Sequence, residues 1–267
     1  MRRLSPAQTR SAIASYGLNR PKGLGFSFRN VERDTLYDWH AHAYHQLAYA
    51  SAGAMWIETS EGRHVLPSGR AAWIPARLRH RTLTGLVDGT SIYFRPNTVS
   101  GSDHRIRILV APPLMREMIL YAGRWPLGVN ARDKIAMNFF STFALLCEGW
   151  LKEETNLFLP RADHPAIARA MDDALDNPAR ANQARAAKAA HMSERSFRRL
   201  FAIETGTTWQ AWVTQLRLLH AVDGLTLGRR VTDVADACGY TSLSAFAKAF
   251  RQLMGETPSD FRARRSV

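Results

Sequence analysis

Apolar and polar positions alternate in short runs through the first third of the chain, and then the period lengthens. His45-Gln-Leu-Ala-Tyr-Ala50 and Ala71-Ala-Trp-Ile-Pro75 are β-type runs, and glycines at 53, 62, 69, 85 and 89 punctuate the region. Turn signals about every eight to twelve residues predict a small β-barrel or sandwich between Phe26 and Pro96. From Pro113 the period becomes helical, and Leu114–Ala122 and Asp133–Glu153 carry few turn residues. The second segment places Ile135, Phe139, Phe143, Leu146 and Trp150 on one broad stripe. That stripe either packs on the barrel or pairs with a second subunit. Leu157–Asp163 reads as a linker around Pro160, and His164-Pro165 opens a series of short helices. Strands first and helices afterwards predict an α+β chain of separate domains.

The last hundred residues contain an internal repeat. One copy holds Ala187, Ala190, His191, Met192, Ser193, Phe197, Leu200 and Phe201; the other holds Ala235, Cys238, Gly239, Tyr240, Ser242, Phe246 and Phe250. The small residues are 48 apart and the phenylalanine pairs 49 apart, so the second turn is one residue longer. Each position suits two short helices crossing closely at a turn. Ala187 and Ala235 allow close approach. Gly239 suits a left-handed turn, with His191 in that place in the first copy. Ser193 and Ser242 can cap the second helix. The phenylalanines bury one face and leave the other polar, with Arg195, Arg198 and Arg199 in the first copy and Ser244 and Lys248 in the second. Between the copies, Trp209, Trp212, Val213, Leu216 and Leu219 form the apolar face of a bridging helix that Gly228 ends.

Charge agrees with this picture without deciding it. The net charge is +13, with 14 basic against 7 acidic residues from Pro178 onward. A basic surface suits phosphate. Cys147 and Cys238 sit in apolar helical contexts and read as small core residues. Asp172, Asp173 and Asp176 read as a solvated acidic face. No apolar run reaches the roughly 18 residues of a membrane span, so a cytoplasmic chain with no membrane partner is expected. P-loop, dinucleotide-fold, nucleophile-elbow and zinc-finger patterns are absent from the sequence.

The repeat resembles the AraC/XylS family of bacterial regulators. The matching stretches are Ser193–Phe201, Glu204–Gly206, Trp212 with Arg217-Leu218, Val231–Tyr240, and the tail positions Ala245-Phe246, Phe250-Arg251, Gly255, Thr257-Pro258 and Phe261-Arg262. The resemblance implies that both second helices enter the major groove of double-stranded promoter DNA. Ser193, Arg195, Ser196, Arg198 and Arg199 would face DNA in the first unit. Ser242, Leu243, Ser244, Ala247 and Lys248 would do so in the second. Arginine can pair bidentately with guanine, whereas the more apolar second helix suits a thymine methyl.

Trp39-His40-Ala-His42 is followed by Gln46 and Gly53, and Gly69 by Pro75, Arg77 and His80. This resembles the two cupin motifs, with Gln46 where the carboxylate stands and Arg77 where the second motif has glycine. The resemblance implies a barrel whose interior takes a metal, a small molecule or both. His40 and His42 would share one strand face. With His80 and Gln46 they form a candidate set for Zn, Ni, Cu or Fe; a metal-free pocket in which the histidines hydrogen-bond an effector is the other reading. Trp39, Tyr49, Trp56, Trp73 and Tyr93 are candidate pocket walls. His45 alternates to the opposite face.

The expected architecture is thus a basic N-terminal arm (1–25), a cupin-like sensing domain (26–105), a helical linker or dimerisation segment (106–156), and an all-α double helix-turn-helix domain (164–267). The expected function is a ligand- or metal-responsive transcription regulator, a homodimer with RNA polymerase as a further candidate partner. A cupin-type metal-dependent dioxygenase or isomerase is the alternative.

Overall fold

Two units make up the chain: Met1–Thr59 with His64–Asn156, and Ser60–Arg63 with Leu157–Val267. The computed structural model describes residues 2–30, 34–84, 87–101, 104–128 and 133–263, so the turn glycine expected at 85 lies outside the described residues.

The first unit is built on strands β1 (Arg2–Arg3), β2 (Gly25–Asn30), β3 (Thr35–His40), β4 (His45–Ala52), β5 (Ala54–Glu58), β6 (Gly62–Pro67), β7 (Arg70–Ile74), β8 (His80–Thr84), β9 (Asp88–Phe94), β10 (Arg107–Val110) and β11 (Glu154–Thr155). One sheet runs β1-β3-β8-β5-β6 within this unit, and the other runs β11-β10-β7-β4-β9-β2. Side-chain alternation gives the second sheet two different faces. Leu47, Tyr49, Trp73, Ile92 and Phe94 point to a large apolar core. The helices α2 (Pro113–Tyr121) and α3 (Lys134–Trp150) close that core from outside through Met115, Ile119, Phe140 and Phe143.

Three expectations change here. The buried face of α3 is Ala136, Phe140, Phe143, Ala144 and Cys147, so Phe143 alone of the expected stripe sits at its centre. Alanines let the helix lie close to the sheet; Phe139 and Trp150 flank the core, and Ile135 is 66% exposed. The segment read as an arm is folded. Helix α1 (Pro6–Ser15) starts with a capping box between Ser5 and Gln8, β1 pairs in parallel with β3, and Leu4, Ile13 and Leu18 are buried. The expected linker is partly ordered as well: Phe158–Pro160 is a short strand, β12, and Leu157, Leu159 and Ala162 are buried.

In the second unit, α4 (Pro165–Asp176) and a 3-10 turn (Pro178–Arg180) precede α5 (Gln183–Ala189), α6 (Glu194–Thr205), α7 (Trp209–Thr226), α8 (Val231–Ala237), α9 (Leu243–Met254) and α10 (Pro258–Ala263). The asymmetric polar pattern of α6 and α9 buries Phe197 and Phe201, and Phe246 and Phe250, respectively. Trp209 and Trp212 stack at 5.2 Å beside the first pair, and Phe261 of α10 meets Phe250 at 5.5 Å. Asp173 is not simply solvated: it accepts two 2.6 Å hydrogen bonds from Arg185, joining α4 to α5, and that guanidinium holds its carboxyl below the usual carboxylate range.

Candidate nucleic-acid interface and ligand cavity

Helices α5 and α6 form one helix-turn-helix, and α8 and α9 form the other. Ala187 and Ala235 are buried where the first helix of each meets its partner. The turns take the left-handed backbone through His191 (φ 55°) and Gly239 (φ 78°). Ser193 caps α6 by accepting from Ser196 N, and Ser242 caps α9 by accepting from Ala245 N. Both hydroxyls also bond a neighbour: Ser193 Oγ donates to Ser196 Oγ at 3.0 Å, and Ser242 and Ser244 share a 2.8 Å bond. These serines therefore order the start of each helix.

Arg195, Arg198 and Arg199 are exposed on α6, and none has a carboxylate partner among the described residues. Leu243, Ser244 and Lys248 are exposed on α9, and Ala247 is half-buried. Exposed guanidiniums with no internal partner can contact phosphate and base edges without first breaking an ion pair.

In the first unit, His40 and His80 are cross-strand neighbours on β3 and β8, beside a bulge between Tyr37 and His40. Contrary to expectation, β3 ends at His40 and His42 lies in the connection to β4. The three rings still gather, with centroids 4.3 Å (His40–His80), 5.2 Å (His42–His80) and 6.3 Å (His40–His42) apart. Each Nδ1 faces a backbone carbonyl: Asp38 at 2.8 Å, Tyr44 at 2.7 Å and Leu78 at 2.9 Å. Donation from Nδ1 leaves Nε2 as the lone-pair nitrogen in each ring. Burial lowers all three pKa values, and burial with the neighbouring His40 pushes His42 down to about 4. The cluster is neutral at pH 7.

Gln46 Oε1 lies 3.0 Å from His42 Nε2, although a neutral ring whose Nδ1 already donates has no second N–H. Turning the amide over makes both contacts chemically consistent: its NH₂ donates to Nε2 and its oxygen accepts from the Ser91 hydroxyl, 2.9 Å away. Three imidazoles and an amide are chemically a donor set for a borderline transition metal. Among the described residues, however, no group of three or more His, Cys, Asp or Glu side chains is arranged to hold an ion. The site is not preformed, and the rings would have to turn to share one.

A cavity of about 60 Å³ opens beside the rings, lined by His40, His42, Gln46 and Tyr93, and on its helical side by Ile13, Tyr16 and Leu18. At about 10–15 Å³ per water it holds a few waters, far short of the roughly 300–1,000 Å³ of a pocket for a large organic ligand.

Two family profiles match the two units in order. One, described as an AraC-like ligand binding domain, covers residues 28–127; the other, a helix-turn-helix domain, covers 186–264. The chain belongs to the AraC/XylS family. It is a DNA-binding transcription regulator with a ligand-binding N-terminal domain, and not an enzyme.

Among relatives of this AraC-family chain, the HTH-type transcriptional regulator NimR of Escherichia coli K12 is 28% identical over 227 residues, covering 84% of this chain and 82% of NimR. The RCS-specific transcriptional activator RclR of the same organism is 35% identical over 143 residues, 51% of this chain and 49% of its own. Of solved structures, the DNA-binding domain of AdpA in complex with a target DNA is 32% identical, covers 37% of this chain and 90% of its own, and has a TM-score of 0.35. Since the family relatives are regulators, the dioxygenase or isomerase alternative is set aside. Among the described residues no helix is long and apolar enough to cross a membrane.

Of the five aromatics expected to wall the regulator's pocket, only Tyr93 does so. Tyr49 and Trp73 face the core under α3, and His45 stacks on Trp73 at 5.1 Å. Trp39 lies under Arg79 and Arg81, 5.1 and 5.4 Å from its ring centre. Trp56 points away from the cavity-lining Met55 beside it. Residues missed from the sequence include Tyr37, Thr82, Thr84 and the α1 group.

Proposed function

We propose that this regulator reads promoter DNA chiefly through Arg195, Arg198 and Arg199 of α6, with α9 adding weaker, more apolar readout through Leu243 and Ala247. We also propose that a divalent transition metal, or a small protic effector, enters the histidine cavity and controls DNA binding. The observation that carries this is the gathering of three imidazoles whose Nδ1 atoms face backbone carbonyls, with Nε2 of His40 and His80 open and that of His42 held by Gln46, in the ligand-binding domain. His40, His42, His80 and Gln46 would hold the ion, which would act there as a Lewis acid fixing the rings. A site that must rearrange to bind has unequal affinity for two states, which is what a switch requires.

The test is calorimetric titration of tag-free protein with Zn²⁺, Ni²⁺, Cu²⁺ and Fe²⁺ separately, with elemental analysis of the product. About one ion per chain is expected, lost in the H40A/H42A/H80A variant. Metal uptake unchanged by that triple substitution would sink the metal reading.

Homodimerisation through α3 is part of the same proposal. Ile135 and Leu145 are large apolar residues left 66% and 63% exposed on one face of α3, a face completed at spacings of three and four by the small or polar Asn138, Thr142 and Gly149. Sedimentation of I135E and L145E should show monomers where the wild type shows dimers.

A further inference from the structure

Within the second unit, one side chain joins parts of both helix-turn-helix units. Arg217, half-buried in the middle of α7, donates from Nε to Pro178 O at 3.0 Å, and from Nη2 to Ala179 O at 3.1 Å and Ala181 O at 3.2 Å. The gripped segment runs directly into Asn182, whose side chain caps α5 by accepting from Arg185 N. It therefore moves with the first helix-turn-helix. The same segment lies against the turn of the second: a Cβ on Gly239 would stand 2.8 Å from Ala179 O and 3.0 Å from Ala179 Cα. Burial raises the pKa of the Cys238 thiol and the Tyr240 phenol, and the Arg217 charge pulls both back, which places the guanidinium beside that turn.

Apart from this link, α7 is the element that packs against both reading helices. An 18-residue helix is about 27 Å long, and tilting one end by about 10° moves the other by about 5 Å. That exceeds the 3.4 Å rise of one base pair. The forked guanidinium holds three carbonyls at once, which a lysine ammonium cannot match.

We propose that Arg217 is a positioning residue for DNA recognition: by clamping residues 178–181 between α7 and the Gly239 turn, it fixes the separation of α6 and α9 and hence the spacing of the two DNA segments the regulator accepts. It touches no DNA in this role, and its loss acts through geometry.

The probe is a duplex site selected by the wild-type protein from randomised DNA, re-made with one base pair added or removed between the two contacted segments. Either change should weaken wild-type binding at least about tenfold. In R217M the penalty should fall below about threefold, with R217K in between, while thermal denaturation stays cooperative. A loss in R217M that is equal on all three duplexes indicates lowered stability alone and overturns the proposal. Wild-type indifference to spacing overturns it together with the two-site reading. Spin labels at A202C and Q252C give a readout without DNA, since both native cysteines are buried. The inter-label distance distribution should be narrow in wild type and broad in R217K; equal widths overturn the clamp even if R217M fails to fold.

Discussion

In the first helix-turn-helix, the reading helix opens on Ser193 and shows Arg195, Arg198 and Arg199; in the second it opens on Ser242 and shows Leu243, Ser244 and Lys248. Beneath those surfaces the devices match. Each first helix has 7 residues and each reading helix 12, and each reading helix ends on a left-handed glycine, Gly206 or Gly255. Each has one supporting helix, α4 before the first unit and α10 after the second. The difference teaches that fold and readout are set by separate positions: the phenylalanines, caps and glycines by the frame, the exposed face by the DNA it meets.

The largest test of the shared frame is in the cores. Phe197→Ala and Phe246→Ala should each cost about 3–5 kcal/mol of unfolding free energy, because both rings are fully buried. Both variants should unfold in one transition, since α7 contributes to both cores. A variant that keeps half its helical circular-dichroism signal through a first transition would show that the two units are independent.

Gly239→Ala comes next. The added methyl meets the Ala179 backbone and the φ of 78° is strained for alanine, so denaturant titration should show a loss of at least about 2 kcal/mol.

Readout should separate the units. Replacing Arg195 or Arg199 with Ala should cost about 1–3 kcal/mol of specific binding and relax preference at one base position. Lys248→Ala should instead weaken binding evenly across sequences and reduce the salt slope by about one. Gel-shift titration across salt concentrations measures both. Equal losses of preference from the two helices would break the comparison.

Legibility followed the range of the interactions. Caps, turn residues and i, i+4 phenylalanine pairs are local, so the double helix-turn-helix could be read from Ser193, Gly239 and Phe246 and their counterparts. The capping box at Ser5 and Gln8 was equally local, but α1 buries only Thr9 and Ile13, too thin a stripe to stand out from a basic segment. The pocket walls failed on parity. Gln46 and Tyr93 are cross-strand partners and share a face, which puts Leu47, Tyr49 and Trp73 on the other. Thr82 and Thr84 keep the parity of His80 and could have been found that way. Tyr37 could not, because the bulge before His40 resets the alternation. Long-range packing decided α3, where the small Ala136 and Ala144, rather than the bulkier Ile135, lie against the sheet.

The smallest expected effect tests whether the two turns are one device with two residues. His191 adopts φ 55°, where a residue with a Cβ is strained by about 1–2 kcal/mol. Glycine removes that strain but loses more backbone freedom on folding, an opposing cost of about 0.4–1 kcal/mol. His191→Gly should therefore stabilise the protein by about 0.5–1 kcal/mol by denaturant titration. The His191 ring is exposed, so little packing is lost. Were the turns simply equivalent, DNA binding would not change with the stability. A stabilised variant with weakened binding would instead assign the His191 ring a contact to DNA, and the left-handed strain at this turn would be what keeps an imidazole where the second unit has none.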